Sequence, residues 1–314
     1  CYRLTRLAPA LEELGVDIVH ALDGRLWSAA IHLARRIDAS VVLAAMSEHD
    51  VAAAGSARRS AGTLNLAFAA ATQPIHKALT DALGDEAVVE HVPIGVHMGA
   101  APADLEPPKP TALCAVVTGN GRYDADYEAL FMAIKHVAAD HPQSQFFIDS
   151  QSDDPRLWQA VKQQGLLGSV SLIPRKLGHR EVLLKADVII QPQALGRSRS
   201  LIVQAMANGV PVLARRDPWI DALKNDETAW LIDPHSDPAG QGDASRTRDM
   251  ADQWVELIHR LYEKPQFARD LTRRAYDWVA KHHLASQQVV RSVNLYRRLT
   301  GEGMKFPTGE TAKA

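Results

Sequence analysis

The chain has 314 residues, of which 46% are hydrophobic, and its 35 basic and 37 acidic side chains give a formal net charge of -2. This length suffices for two packed domains, and the near-zero charge gives no electrostatic basis for binding nucleic acid. No apolar run reaches the roughly 18 to 20 residues of a membrane-spanning helix, which leaves only peripheral membrane contact open. Cys1 and Cys114 indicate neither a disulfide framework nor a metal site, and we expect a cytoplasmic protein.

The first part of the chain alternates short β-branched runs with helical patterns, which is typical of a parallel sheet covered by helices. Four strands are predicted, at 17–22, 40–45, 64–70 and 88–94. We therefore expect a Rossmann-like domain over residues 1–98. A complete domain of this kind would have more strands and a glycine-rich loop after the first, and the chain begins with Cys1, so we expect this domain to be incomplete.

A proline-rich segment over residues 99–111 then predicts an extended linker. Beyond it, a second Rossmann-like domain is predicted over residues 112–240, again of the α/β class. Its six strands are predicted at 112–119, 144–149, 169–174, 187–192, 210–215 and 229–234. Residues 241–300 are predicted to form helices. One face of the first helix carries Met250, Trp254, Leu257, Ile258 and Leu261. A polar tail follows at 301–314.

The loop that leaves the predicted strand 187–192 lies where parallel sheets bind ligands, at a carboxyl end. Its sequence, "QALGRSRS", enters a short apolar helix, and Ser198 or Ser200 is expected to cap that helix. The free N–H groups of a helix start favour an anion, and Arg197 and Arg199 would add charge-assisted hydrogen bonds. The alternative is a loop whose arginines simply face water.

A second loop, "VTGNGRYD", follows the first strand of the same domain. Gly119 and Gly121 would let the backbone approach a phosphate closely, and Arg122 is a candidate phosphate ligand. The alternative is a tight turn. As a dinucleotide fingerprint the loop is weak, because Asp124 replaces the third glycine; a nicotinamide-binding interpretation then depends on Asp149 at the end of the next strand.

Several segments together resemble the retaining glycosyltransferases of family four. They are the "GR" after the first strand of the second domain, "DVIIQP", "QAMANGVPVLA", "DALKNDETAWLIDP", and upstream "DIVHAL" and "VPIGVH". The resemblance covers roughly residues 10 to 300. It implies the GT-B architecture of two Rossmann-like domains, and transfer of a sugar from a nucleoside diphosphate sugar to an unknown acceptor. No cofactor and no metal are expected, because protein groups would supply the positive charge.

The chain departs from the family pattern at its acidic positions. Two glutamates separated by seven intervening residues are replaced by Gly196 and Gln204, and the family's lysine after Arg122 is missing. Gln204 can still hydrogen-bond to a ribose, but it carries no charge. The donor would thus be bound by Gly119, Gly121, Arg122, Gln204 and the loop residues Arg197, Ser198, Arg199 and Ser200.

In the first domain the resemblance implies a catalytic role for His20 and Asp23, with Leu22 in place of the family's second histidine. Asp221 falls where the family often has an acid near the sugar. Each of the missing family residues would contribute either to transition-state stabilisation or to donor binding. Two hypotheses follow: a glycosyltransferase with an altered donor site, or a non-catalytic relative that binds a sugar, a nucleotide or a partner protein.

Overall fold

The computed structural model describes residues 2–98, 112–149, 154–173, 185–233 and 243–301. The chain divides into two compact units, one formed by residues 1–93 with 286–314 and the other by residues 94–285. The predicted linker at 99–111 and the predicted tail beyond residue 301 lie outside the described residues.

Unit 1 contains a parallel sheet whose strands lie in sequence order. Its strands are β1 (Ile18–Ala21), β2 (Ser40–Ala45), β3 (Leu66–Ala70) and β4 (Val88–His91). The helices between them are α1 (Tyr2–Glu13), α2 (Trp27–Arg36), α3 (Glu48–Ala61) and α4 (Gln73–Leu83), with a 3-10 turn at Gly24–Leu26. All residues of β2 are buried, as expected for a central parallel strand covered on both faces. Ser47 and Thr72 cap α3 and α4 through side-chain oxygens.

Unit 2 contains a second parallel sheet, with the strand order β10-β9-β8-β5-β6-β7. The strands are β5 (Cys114–Thr118), β6 (Gln145–Asp149), β7 (Val170–Ile173), β8 (Val188–Gln191), β9 (Val212–Arg215) and β10 (Trp230–Ile232). The described helices are α5 (Ala125–Asp140), α6 (Pro155–Gln163), α7 (Ser200–Ala207), α8 (Asp243–Glu263) and α9 (Pro265–His282). The order reverses between β5 and β8, which is the point where open α/β sheets bind ligands.

Two apolar layers cover the faces of the second sheet. On one face α5 and α8 pack over a core that includes Tyr127, Phe131 and Trp254. On the other face α7 and α9 cover a core that includes Val116 and Ile189. The five apolar residues predicted on one face of α8 are all buried, namely Met250, Trp254, Leu257, Ile258 and Leu261.

The predicted α/β class, with two parallel sheets and C-terminal helices, is confirmed. All ten predicted strands are present. The last helix, α10 (Ala285–Thr300), contributes Leu295 to a core of unit 1 that contains Val42 and Ala67. Within the described ranges, no helix is long and apolar enough to cross a membrane.

Candidate functional site

Buried polar residues lie in a row at the carboxyl ends of three adjacent strands of the second sheet, β8, β5 and β6. Asp149 of β6 pairs with Thr118 of β5. On β8, Gln191 follows Ile190, the partner of Val117 of β5, so Gln191 lies at the same level as Thr118. The exposed fractions of Asp149, Thr118 and Gln191 are 2%, 0% and 0% in that order. Because side chains alternate along a strand, all three project on the face that α7 covers. The carboxyl ends of these strands, at the strand-order reversal, therefore carry polar side chains on the face that α7 covers.

Two atoms of this row, Thr118 Oγ1 and Gln191 Oε1, have no hydrogen-bond partner among the described residues. Gln191 Nε2 does donate to the carbonyl oxygen of Gln193 at 3.3 Å. Buried polar atoms of this kind usually bind a protein group, ordered water or a ligand. The row thus retains hydrogen-bonding capacity at the carboxyl edge.

Arg199 crosses from the β8–α7 loop to the β5–α5 loop. Its Nη1 donates to the carbonyl oxygen of Gly119 at 3.0 Å, and its Nη2 lies 3.8 Å from Asp149 Oδ2. The two side chains of this ion pair are 10% and 3% exposed. Burial lowers the pKa of Arg199, while Asp149 acts in the opposite direction; the guanidinium stays charged. Asp149, which the nicotinamide interpretation assigned to a ribose, is thus already engaged with an arginine.

The start of α7 differs from the prediction. Arg199 occupies the N-cap position, and no side chain caps the helix there. The expectation that Ser198 or Ser200 caps α7 is therefore wrong, because the residue at the cap position sends its side chain to the neighbouring loop. Ser198 is buried and Ser200 is exposed. An uncapped helix start keeps N–H donors for an anion.

The loop that contains Gly119 and Gly121 forms more internal hydrogen bonds and is more closely packed than the sequence indicated. Gly119 is needed for packing, since a Cβ there would lie 2.7 Å from Gln193 Oε1 and would also overlap Tyr127 Oη. Gly121 adopts a φ of 72°, which favours glycine. The N–H of Asn120 donates to Gln193 Oε1 at 2.9 Å, and the N–H of Arg122 donates to Asn120 Oδ1 at 2.7 Å. Those two amides already have partners, so the loop is a closed turn.

Asp217, like Gln193, was not predicted as a site residue from the sequence. It is 3% exposed, and its Oδ2 accepts the N–H of Gly196 at 2.8 Å while its Oδ1 accepts the N–H of Trp219 at 3.0 Å. Gly196 has a φ of 58°, so a glutamate at this position would be strained. The Asp-Pro sequence after β9 was the available signal, because Asp often closes such turns. Asp221, predicted near the sugar, lies half-buried in the turn that follows.

The remaining predicted donor residues lie around this edge at different depths. Arg122 and Arg197 are exposed, and Gln204 is half-buried on α7. The guanidinium of Arg122 makes no hydrogen bond or ion pair with the described parts of the chain. Arg215, at the end of β9, forms an ion pair with Asp126 at the start of α5, and burial raises the pKa of Asp126 while Arg215 opposes that shift.

His20 and Asp23 lie in unit 1, at and after the end of β1. His20 Nδ1 is 2.7 Å from the hydroxyl of Tyr296 on α10, and burial lowers the pKa of His20. Asp23 caps the 3-10 turn by accepting the N–H of Arg25 at 2.9 Å, and it pairs with the Arg25 side chain. Both residues thus form hydrogen bonds within unit 1, and their catalytic role stays a prediction. Among the described residues, no group of three or more His, Cys, Asp or Glu side chains is arranged to hold a metal ion.

Among known proteins, only solved structures are similar to this chain. No protein-family model matches the chain, and no curated protein matches it. Solved structures do match. A variant of S. aureus TarM, in complex with fondaparinux, alpha-GlcNAc-glycerol and UDP, has a TM-score of 0.69 and 12% identity, over 93% of this chain and 58% of that one. Anabaena HepE in complex with UDP-glucose has a TM-score of 0.66 and 13% identity, over 95% and 82%.

Sucrose-phosphate synthase from Thermosynechococcus elongatus is similar as well, with a TM-score of 0.68 and 16% identity, over 95% of this chain and 77% of that one. These proteins are glycosyltransferases of GT-B architecture. At such low identities the similarity shows the fold, which is GT-B-like. The chain spans a little over half of the TarM chain, at 58%.

Proposed function

We propose that the chain is a nucleotide-sugar-dependent glycosyltransferase of the family-four type, with an altered donor site in the predicted domain 112–240. The observation that carries the proposal is the meeting of two loops at the strand-order reversal, joined by the Arg199–Gly119 hydrogen bond at 3.0 Å. Open α/β sheets bind nucleotides at this point. The structural neighbours in complex with UDP and UDP-glucose support the same ligand class for this chain.

The chemistry of such a site requires stabilisation of a diphosphate as its bond to the sugar breaks. Arg122 offers an exposed guanidinium for this, and Arg197 offers a second from the facing loop. The uncapped start of α7 adds N–H donors, and the positive end of its dipole favours a dianion. Gln204, half-buried on the same helix, is assigned to neutral hydrogen bonds with ribose hydroxyls.

The second candidate is a nucleotide-binding relative without transferase activity. It is favoured by Gly196, whose backbone conformation disfavours a side chain and whose N–H is bound by Asp217. Neither position 196 nor position 204 carries a carboxylate, so acidic contacts to a donor sugar at these two positions are missing. Both candidates require diphosphate binding, and only the first requires turnover.

The test is calorimetric titration with UDP, GDP, ADP and their common sugar conjugates. Arg122→Ala removes the exposed guanidinium and should weaken diphosphate binding about tenfold or more, as expected for a lost charge-assisted contact. Arg273→Ala is the matched control, because Arg273 is 66% exposed on α9 and pairs with Asp270. Absence of binding by the folded wild-type chain would refute the donor site. Binding with slow release of sugar from UDP-glucose would favour the enzyme over the non-catalytic relative.

A further inference from the structure

One buried carboxamide connects the two loops of the candidate site. Gln193 lies two residues after the end of β8 and is 2% exposed. Its Oε1 accepts the N–H of Asn120 at 2.9 Å. Its Nε2 donates to the carboxylate of Asp124 and reaches the carbonyl oxygen of Arg122 at 3.5 Å. Both polar ends of one side chain are thus used on the loop that carries Arg122.

The chemistry of these partners fixes the orientation of the carboxamide. An N–H donor faces the oxygen, and a carboxylate faces the nitrogen, so a rotated amide would oppose like groups at both ends. Asp124 also caps α5, since its Oδ1 accepts the N–H groups of Asp126 and Tyr127 at 3.1 Å each. Gln193 therefore donates to Oδ2 of Asp124, the carboxylate oxygen that does not cap α5. It thus contacts both Asn120 and Asp124, the two ends of the loop 120–124.

This arrangement changes what the loop can offer a ligand. The N–H groups of Asn120 and Arg122 are used inside the turn, so these amides do not cradle a phosphate. The exposed side chain of Arg122 remains as the loop's cation. Its backbone is held by Asn120 on one side and by Gln193 on the other.

We propose that Gln193 is a positioning residue, which holds Arg122 where it binds the diphosphate of the ligand. The inference rests on the proposed function, because Arg122 is positioned for a diphosphate only if the site binds one. Gln193 does not touch the ligand in this scheme; it acts through the loop. A glutamine that only packed would tolerate an isosteric replacement.

Gln193→Glu provides the sharpest test, because it keeps the size and the acceptor for Asn120 but places a second carboxylate against Asp124. Burial and the neighbouring charge both raise the pKa of such a carboxyl. At pH 8 the ionised side chain should repel Asp124, displace the loop and weaken UDP binding about tenfold or more relative to wild type. At pH 5 the protonated carboxyl can donate as the carboxamide does, and affinity should return to within about threefold of wild type at that pH.

Gln193→Ala is the companion variant and should bind UDP weakly at both pH values, without recovery. Gln145→Glu is the matched control, because Gln145 donates to the carbonyl oxygen of Gly168 at 3.0 Å on an exposed part of the same unit; it should bind like wild type at both pH values. Amide exchange by NMR supplies a readout without ligand, and Asn120 should exchange faster in Gln193→Ala.

The outcomes separate this inference from the proposed function. Wild-type binding of UDP together with unchanged affinity in Gln193→Glu at pH 8 overturns the inference alone. Equal losses at pH 5 and pH 8 also overturn it, because they indicate a packing defect rather than a hydrogen-bond donor. A wild-type chain that binds no nucleoside diphosphate refutes the proposed function, and unchanged exchange at Asn120 would show that Gln193 does not hold the loop.

Discussion

Replacement of Arg199 by methionine should destabilise unit 2 because it leaves Asp149 buried without its cation. The two groups lie 3.8 Å apart, with exposed side-chain fractions of 10% and 3%. In an effective dielectric of about 20, unit charges at this distance attract by about 4 kcal/mol, and breaking a buried pair by removing one partner costs about 3 to 5 kcal/mol. Since the separation is long for an ion pair, we expect a loss near the lower figure, about 3 kcal/mol.

The assay is urea unfolding followed by tryptophan fluorescence, which reports mainly on unit 2 because only Trp27 of the six tryptophans lies in unit 1. A cycle with Asp149→Asn isolates the pair, and the double variant should be more stable than the sum of the single losses predicts. Arg216→Met is the control, because Arg216 and Asp233 are 47% and 50% exposed, and it should cost at most about 1 kcal/mol. Equal losses in Arg199→Met and Arg216→Met would refute the reasoning.

Two further predictions concern unit 1. In Gly24→Ala the new methyl group would overlap the carboxylate of Asp50, which is 6% exposed. Circular dichroism melts should therefore show a loss of about 1 to 3 kcal/mol in the free energy of unfolding. The control is Gly55→Ala, which should be neutral or stabilising because the new methyl group would meet only the tip of an arginine side chain. Burial lowers the pKa of His20 below its ordinary 6.5, so the unfolded chain binds this proton first: stability is complete above pH 6.5 and falls as pH drops towards the folded pKa. His20→Gln should flatten that part of the stability curve, and an unchanged curve would contradict the assignment.

Much of the fold could be predicted because its signals are local. The strands of unit 2, such as β8, are continuous buried runs between turn residues, and strand length and β-branching identify them without tertiary information. The loops at their carboxyl ends could also be located, because parallel topology places all such ends on one edge. Thus Arg122, Arg197 and Arg199 were assigned to one edge from sequence alone.

The contacts that build the site could not be predicted in the same way. Gln193 and Asp217 act across sequence separations of 73 and 21 residues, and nothing near them in sequence indicates those partners. The failed prediction for Ser198 and Ser200 has the same origin. Local propensity favours serine at a helix start, but Arg199 occupies the cap position and its side chain contacts Gly119, 80 residues away in sequence.

The most direct test of the central claim is hydrogen exchange of the wild-type chain with and without saturating UDP, read by mass spectrometry. A donor site at this edge should slow exchange in the loop 119–124 and at the start of α7, with no change in the core strands β2 and β3 of unit 1. Protection confined to unit 1, or no protection at either loop in the presence of bound UDP, would contradict the placement of a donor site at the carboxyl edge of the second sheet.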